Sequence, residues 1–365
     1  MAPALAHRTA ASASDRRNLR LMIVDDSMVA RAVLSRMVEL GGGIEISAVA
    51  GTAEDAVEAL ARVSVDVILL DLEMPGAGGL SKLPEIIAAA RGARVLVVSS
   101  LAEDGAAATV TALAQGAADT LLKPGTGRIQ GRFADILIEK IRALGHVEAE
   151  APASARTARV APLQAMGVDP LSLLAIGAST GGIHALGRFF GQLPPVLGVP
   201  ILVTQHLPVP FMDVFARQLS AAARRPARIA VEGATLVPDE IVIAPGDAHL
   251  TIEGTSPSSL RVHLVRGRAA SGCLPSVDPM LSSVAGSGLT GAVAVILSGM
   301  GRDGVEGSAA MVRAGGSVLV QDEATSAVWG MPRAVADAGL ASAILPPEKL
   351  ARRVASRIGH FHADK

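Results

Sequence analysis

Residues 174–182 read LAIGASTGG, in which an apolar run ends on a glycine-rich turn that carries Ser179. A Gly-x-Ser-x-Gly turn between a strand and a helix presents a nucleophilic hydroxyl. A glycine-rich loop at a helix start can instead cradle phosphate, but this turn has neither the G-x-G-x-x-G spacing nor the lysine of a phosphate loop. A serine nucleophile needs a base within hydrogen-bond reach and a third group to orient that base. His206 directly follows the apolar run VPILVTQ, whose carboxyl end belongs on the same sheet edge as Ser179. It is preferred to His184, which falls on the helix after Ser179, and to His249 and His263, which fall in a strand–turn–strand segment. Among the acids, Asp303 in GAVAVILSGMGRDG is preferred, then Asp322 after GSVLVQ, while Asp278 in PSVDPM suits a helix N-cap. The glycines of SGMG let a backbone N–H turn towards an oxyanion. The order Ser…His…Asp is not the Ser…Asp…His of α/β-hydrolases, so the turn does not imply that fold.

A second set of polar residues ends the apolar runs of the N-terminal part: Asp25 and Asp26, Asp71, Ser99 and Lys123. Ligands bind outside the carboxyl ends of parallel strands, so these side chains should share one edge. Crowded carboxylates repel one another, and a hard cation such as Mg2+, which takes oxygen ligands, relieves that. Asp71 can then act as an oxygen nucleophile towards a phosphoryl donor and give an aspartyl phosphate. Lys123 can pair with the added charge, and Ser99 can hydrogen-bond a new phosphoryl oxygen. Lys123-Pro124 adds a rigid bond, cis or trans, beside them.

Both sets require strands that deliver them. Residues 20–145 alternate short apolar runs with amphipathic ones: RLMIVDD, IEISAVAG, VDVILLD, ARVLVVSS and DTLLKPG read as strands. SMVARAVLSRMVEL sets Val29, Val33, Met37 and Leu40 at helical spacing behind Ser27 as N-cap. Strands that are apolar throughout belong to a parallel sheet covered on both faces, and five such units make a flavodoxin-like domain, assigned to residues 19–145. Residues 146–168 are Ala/Pro-rich without an apolar face and read as a linker. From 169 to 365 the alternation resumes as a second doubly wound, mostly parallel α/β domain, with a hairpin expected in EIVIAPGDAHLTIEGTSPSSLRVHLV. Residues 1–18 read as a disordered lead-in, not an export signal.

The totals bound the function. A length of 365 residues allows two domains, and the net charge of −1 offers no field for nucleic acid or a membrane surface. No apolar run is long enough to span a bilayer, and the single cysteine, Cys273, excludes an intramolecular disulfide. A cytoplasmic protein fits. With no Tyr and one Trp, the cores should be packed from Ala, Val, Leu, Ile and Met.

MIVDDS, ILLDLEMPG, VVSS and LLKPG resemble the response-regulator receiver family over about residues 20–140. The resemblance implies Asp71 as phosphoacceptor, with Asp25, Asp26, Asp71 and the Glu73 carbonyl around Mg2+, and Ser99 and Lys123 as the signalling pair. Thr120 stands where many receivers carry an aromatic switch residue. IGASTGG, VTQHLP, IAPGDAHL, PSVDPML, VILSGMGRDG and VWGMPRAV are similar to the catalytic domain of the chemotaxis methylesterase family, CheB, over about residues 170–345. That likeness implies a triad of Ser179, His206 and Asp303, with the Met300 backbone near the oxyanion, Thr180 beside the nucleophile and Trp329 near the rim. It also implies an enzyme without a cofactor in its catalytic domain that hydrolyses glutamate γ-methyl esters, and deamidates glutamines, on methyl-accepting chemoreceptors. A chemotaxis histidine kinase would be the phosphodonor, the receiver would mask Ser179 until phosphorylated, and the chain would be a monomer. Cys273-Leu274 departs from the family before PSVD, where a basic residue is commoner.

Overall fold

Runs built almost wholly of Val, Ile, Leu and Met are stable as strands only when both faces are covered. In the computed structural model, which describes residues 18–74, 78–99, 103–123, 130–145 and 161–358, the first five strands are β1 (Leu19–Val24), β2 (Ile44–Ala50), β3 (Val67–Leu70), β4 (Arg94–Ser99) and β5 (Asp119–Leu122), of which β1, β3 and β4 are such runs and β2, at the sheet edge, is only partly covered. They lie parallel in the order β2-β1-β3-β4-β5. Helices α1 (Met28–Gly41), α2 (Ala53–Arg62), α3 (Gly78–Ala89), α4 (Glu103–Gln115) and α5 (Gln130–Gly145) follow the strands in turn. This is the flavodoxin-like order. The Lys123-Pro124 bond, the lead-in up to residue 17 and residues 146–160 of the expected linker lie outside the described residues.

One helix face differs from expectation. Ser27 does cap α1, its hydroxyl accepting from Ala30 N at 3.2 Å, but the residues α1 buries are Leu34 and Val38. Val29 and Leu40 are 73% and 72% exposed. The helix carries apolar residues on two stripes, so periodicity alone could not tell which one the sheet would take.

The second domain holds β6 (Leu173–Ala178), β7 (Ile201–Gln205), β8 (Ala227–Ile229), β9 (Ile241–Ile243), β10 (His249–Glu253), β11 (Arg261–Val265), β12 (Ala292–Ile296), β13 (Ser317–Gln321) and β14 (Ala343–Leu345). Its helices are α6 (Gly182–Phe190), α7 (Met212–Ala223), α8 (Val277–Gly286), α9 (Val305–Arg313), α10 (Met331–Asp337) and α11 (Pro347–Ala355). Seven strands form one parallel sheet in the order β14-β13-β12-β6-β7-β9-β8. The expected hairpin is β10–β11, but it forms a two-stranded sheet of its own, and the EIVI run joins the large sheet as β9. The parallel order is therefore not interrupted. The core also departs from an aliphatic one: Phe189, Phe190, Phe211 and Phe215 are all fully buried, the first two in edge-to-face contact at 5.6 Å. Scarce aromatics are here concentrated on α6, α7 and the turn before α7. Residues 161–168 are tied to the second domain, with Gln164 N–H on Ala341 O at 2.9 Å and Gly167 N–H on Ser317 Oγ at 3.0 Å. Among the described residues no helix is long and apolar enough to cross a membrane.

Candidate active site

The chain lays down β6, builds outward through β7, and later returns to place β12 on the other side of β6. Crevices open outside the carboxyl ends of strands at such a reversal. Ser179 follows β6 there. Its N–H donates to Ser298 O at 3.0 Å, and its carbonyl accepts from Gln205 Nε2 at 2.9 Å. Gly181 turns the chain at φ +76°, and a Cβ on it would lie 2.4 Å from Ala327 Cβ, so glycine is required by conformation and by space. From the β12 side, Gly299 approaches so closely that a Cβ on it would lie 2.8 Å from Ser179 Cβ. The backbone N–H groups of Met300, the next residue, and of Thr180 have no acceptor among the described residues. Trp329 is half-buried beyond this loop, its indole N–H donating to Gln321 O at 2.9 Å.

His206 N–H bonds to Ala178 O at 3.0 Å, which fixes the end of β7 beside the nucleophile turn. Its Nε2 lies 2.8 Å from Asp303 Oδ2. Asp303 is buried and also accepts from Ser276 Oγ at 2.6 Å and Val277 N–H at 2.7 Å. Burial alone would raise the Asp303 carboxyl, but the bond and charge of His206, with the Ser276 and Val277 donors, hold it well below the usual carboxylate range. An ionised Asp303 accepts the Nε2 proton of His206, which leaves Nδ1 as the ring's acceptor. No hydrogen bond joins Ser179 Oγ to His206 among the described residues, although both line one small cavity.

The rejected candidates are engaged elsewhere. Asp322 accepts from Thr325 N–H at 3.2 Å in its own turn, and His263 pairs with exposed Glu232 at 3.1 Å. His184 Nδ1 meets Ala114 O at 3.1 Å. Buried His249, held below the usual histidine range by desolvation, accepts from Ser276 N–H at 2.9 Å. The N-cap of α8 is Ser276, not Asp278, because the helix begins at Val277. The support of Asp303 by Ser276 and Val277 was not read from the sequence, although PSVD at a helix start was its signal.

Asp278 instead accepts from Gly307 N–H at 2.8 Å and ties α8 to α9. Burial, helped by the charge of Asp303 against the Gly307 donor, pushes its carboxyl up to about 6 from an ordinary 3.8. The folded state therefore binds the extra proton, and the stability this confers is present below about pH 4 and lost as pH rises through about 6. Asp303 is shifted the other way and stays ionised across that window. Melting temperatures of the wild type should fall between those pH values, and Asp278→Asn should flatten the slope. Parallel melting curves would count against it.

In the first domain, ligand oxygens of Asp25, Asp26 and Asp71 all lie within 4.8 Å of one another. Lys123 Nζ reaches Asp71 Oδ2 at 2.7 Å and Asp25 Oδ2 at 3.3 Å, and Glu73 N–H donates to Asp71 Oδ1 at 3.2 Å. Burial raises the Asp71 carboxyl despite Lys123. For Lys123, burial works downward but is outweighed by its bond to and the charge of Asp71, so it is raised and stays charged. Asp25 Oδ2 and Ser99 Oγ are buried without a hydrogen-bond partner. An all-oxygen set in which one carboxylate oxygen is held only by the Lys123 ion pair fits Mg2+, and the unpaired Ser99 hydroxyl at the end of β4 fits an arriving acceptor. Buried Thr120 also leaves its hydroxyl unpaired.

The two sites are joined by β5. Lys123 at its carboxyl end holds Asp71, and Asp119 at its start accepts from Thr180 Oγ1 at 2.6 Å and from Lys140 Nζ. Gly181 N–H donates to Ala118 O at 2.6 Å, and α4 packs against α6 and α7. With Leu113, Ala117, Ala118 and Asp119 over Ser179 and His206, the remaining cavity is about 10 Å3. That holds at most about one water.

A profile for CheB methylesterase matches residues 174–354, and one for the response regulator receiver domain matches residues 21–131. Protein-glutamate methylesterase/protein-glutamine glutaminase 2 of Caulobacter vibrioides is 42% identical over 93% of this chain and 99% of its own length. The enzyme of that name from the group 2 operon of Rhodopseudomonas palustris is 39% identical over 97% and 98% of the two chains. A crystal structure of the Thermotoga maritima CheB methylesterase catalytic domain, 32% identical, aligns with a TM-score of 0.49 over 51% of this chain and 98% of that one.

Proposed function

Since the chain belongs to the CheB family of receiver-linked protein-glutamate methylesterases/protein-glutamine glutaminases, we propose that it is a phosphorylation-activated serine hydrolase. Its substrates are glutamate γ-methyl esters, and glutamines, on chemoreceptors; it works as a cytoplasmic monomer, phosphorylated by a chemotaxis histidine kinase, in sensory adaptation. The observation that carries the reading is that His206, paired with Asp303 at 2.8 Å, lines the same cavity as Ser179.

The chemistry follows from the proton positions. With Nε2–H given to Asp303, Nδ1 takes the Ser179 proton as Oγ attacks the γ-carbonyl, and the imidazolium that forms is held by the ionised carboxylate. Closing the Ser179–His206 bond is left to the substrate complex, as is usual for resting hydrolases. The negative charge on the carbonyl oxygen is received by the free N–H groups of Met300 and Thr180. Collapse expels methanol, or ammonia from an amide, with the proton returned by His206. Water, deprotonated by the same imidazole, then cleaves the acyl-serine and leaves a free glutamate. No cofactor is needed in this domain.

Regulation uses the receiver. Asp25, Asp26, Asp71 and the Glu73 carbonyl would hold Mg2+, which neutralises phosphoryl charge when bound. Asp71 attacks the phosphorus of the donor's phosphohistidine, and Lys123 and Ser99 turn to the new phosphoryl oxygens. Lys123 directly follows β5 and Asp119 begins it, a span of about 13 Å, so a pull on Lys123 is delivered to the Asp119–Thr180 contact. The test is methylated receptor incubated with the full chain and a phosphodonor. Methanol should appear, and should not appear with Ser179→Ala; release by both proteins alike would overturn the proposal.

A further inference from the structure

The chain's single cysteine lies against the candidate triad. Cys273 Sγ, a ring nitrogen of His206 and a carboxylate oxygen of Asp303 all lie within 4.8 Å of one another. The thiol's hydrogen bond to Ser271 O is long, at 4.0 Å. Three atoms no further apart than that share a centre at most about 2.8 Å from each, and Zn–N and Zn–S bonds are about 2.0–2.3 Å. Side-chain shifts of at most about 0.8 Å per ligand would close the shell. Cys273 and His206 are only half-buried, so an ion has a way in and a fourth position remains for water.

We propose that Cys273, His206 and Asp303 form a Zn2+ site that silences hydrolysis while occupied. One sulfur, one imidazole and one carboxylate with an open fourth position is a zinc-type donor set, whereas the all-oxygen cluster at Asp25, Asp26 and Asp71 suits Mg2+. Ligand softness thus sorts the two ions between the two domains. Binding releases the Cys273 thiol proton to solvent as the Zn–S bond forms. It takes the imidazole and its orienting carboxylate together, so no base is left for Ser179. The silencing rests on the hydrolase reading above; the metal binding does not.

The test titrates Zn2+ into the full chain in excess Mg2+ and reads bound zinc by equilibrium dialysis, with Co2+ as a spectroscopic substitute. Wild type should bind one Zn2+ beyond the Mg2+ site and show a thiolate-to-cobalt charge-transfer band. Cys273→Ser should lose the band and weaken Zn2+ at least about 10-fold. Zinc should suppress methanol release by wild type and be reversed by a chelator, with the ratio of rates with and without zinc near unity in Cys273→Ser. Equal zinc affinity in the two proteins, no cobalt–thiolate band, or equal zinc sensitivity would overturn the site. If no methanol is released even without zinc, the hydrolase reading fails, and dialysis and the cobalt spectrum still decide the site.

Discussion

Asp303→Ala should lower methanol release by about 10⁴-fold, and should cost nothing further once Ser179 is already alanine. The first part follows from what the carboxylate holds. It receives the Nε2 proton of His206, so without it the ring can take either tautomer, and half of the rotations that remain offer Ser179 a donor instead of an acceptor. It also supplies the negative charge opposite the imidazolium that forms when Ser179 is deprotonated, and in a buried site that charge is poorly replaced by solvent. The second part separates a positioning group from a merely structural one. If Asp303 acts through His206 on Ser179, removing Ser179 makes the other two irrelevant, and Ser179→Ala alone should match the double variant at roughly 10⁶-fold below wild type. If Asp303 only held the loop together, the two losses would multiply. Because Ser276 Oγ and Val277 N–H would lose their acceptor, the alanine variant should also melt earlier. Circular dichroism must therefore show it folded at the assay temperature. Asp303→Asn, which keeps one acceptor oxygen, should melt closer to wild type while still losing the charge.

Excising the receiver should raise the rate of the unphosphorylated enzyme by about 5–150-fold, the range of a typical coupling of 1–3 kcal/mol. The closed cavity of about 10 Å3 over Ser179 is the reason: a glutamyl ester on a receptor helix cannot enter while Ala117, Ala118 and Asp119 cover the serine. Residues 161–365 retain the whole seven-stranded sheet and the 161–168 segment tied to it. A phosphodonor should bring the full chain towards the rate of that fragment and leave the fragment unchanged. Asp119→Ala in the full chain should move part of the way, since it removes the acceptor for Thr180 and Lys140 but leaves the α4 packing in place. Identical rates for the full chain and the fragment, without phosphodonor, would remove the masking role of the receiver altogether.

The exposed stripe on α1 and the separate β10–β11 sheet show where local patterning stopped being informative. Val29, Val33 and Leu40 have the spacing of a buried face, yet Leu34 and Val38 are the side chains that meet the sheet. Nothing within the helix distinguishes the two stripes; the strands beneath do. The choice of Asp303 over Asp322 has the same character. Both follow apolar strands, but β12 borders β6 while β13 lies one strand further out, roughly 5 Å more. That order is a property of the sheet, not of either segment.

The amino-acid sequence alone determined the two α/β domains and the edge on which each polar set gathers, because in a parallel sheet every strand delivers its last residue to the same side. Ser179, His206, Asp71 and Lys123 could be named as candidates on that rule without knowing which strand neighbours which. Only the tertiary structure decided the partnerships: His206 with Asp303 across the end of β6, Asp119 with Thr180 between domains, and Cys273 beside both members of the first pair. These depend on strand order and on domain docking, which are fixed by burial of surfaces far apart along the chain and so leave no local periodicity to read.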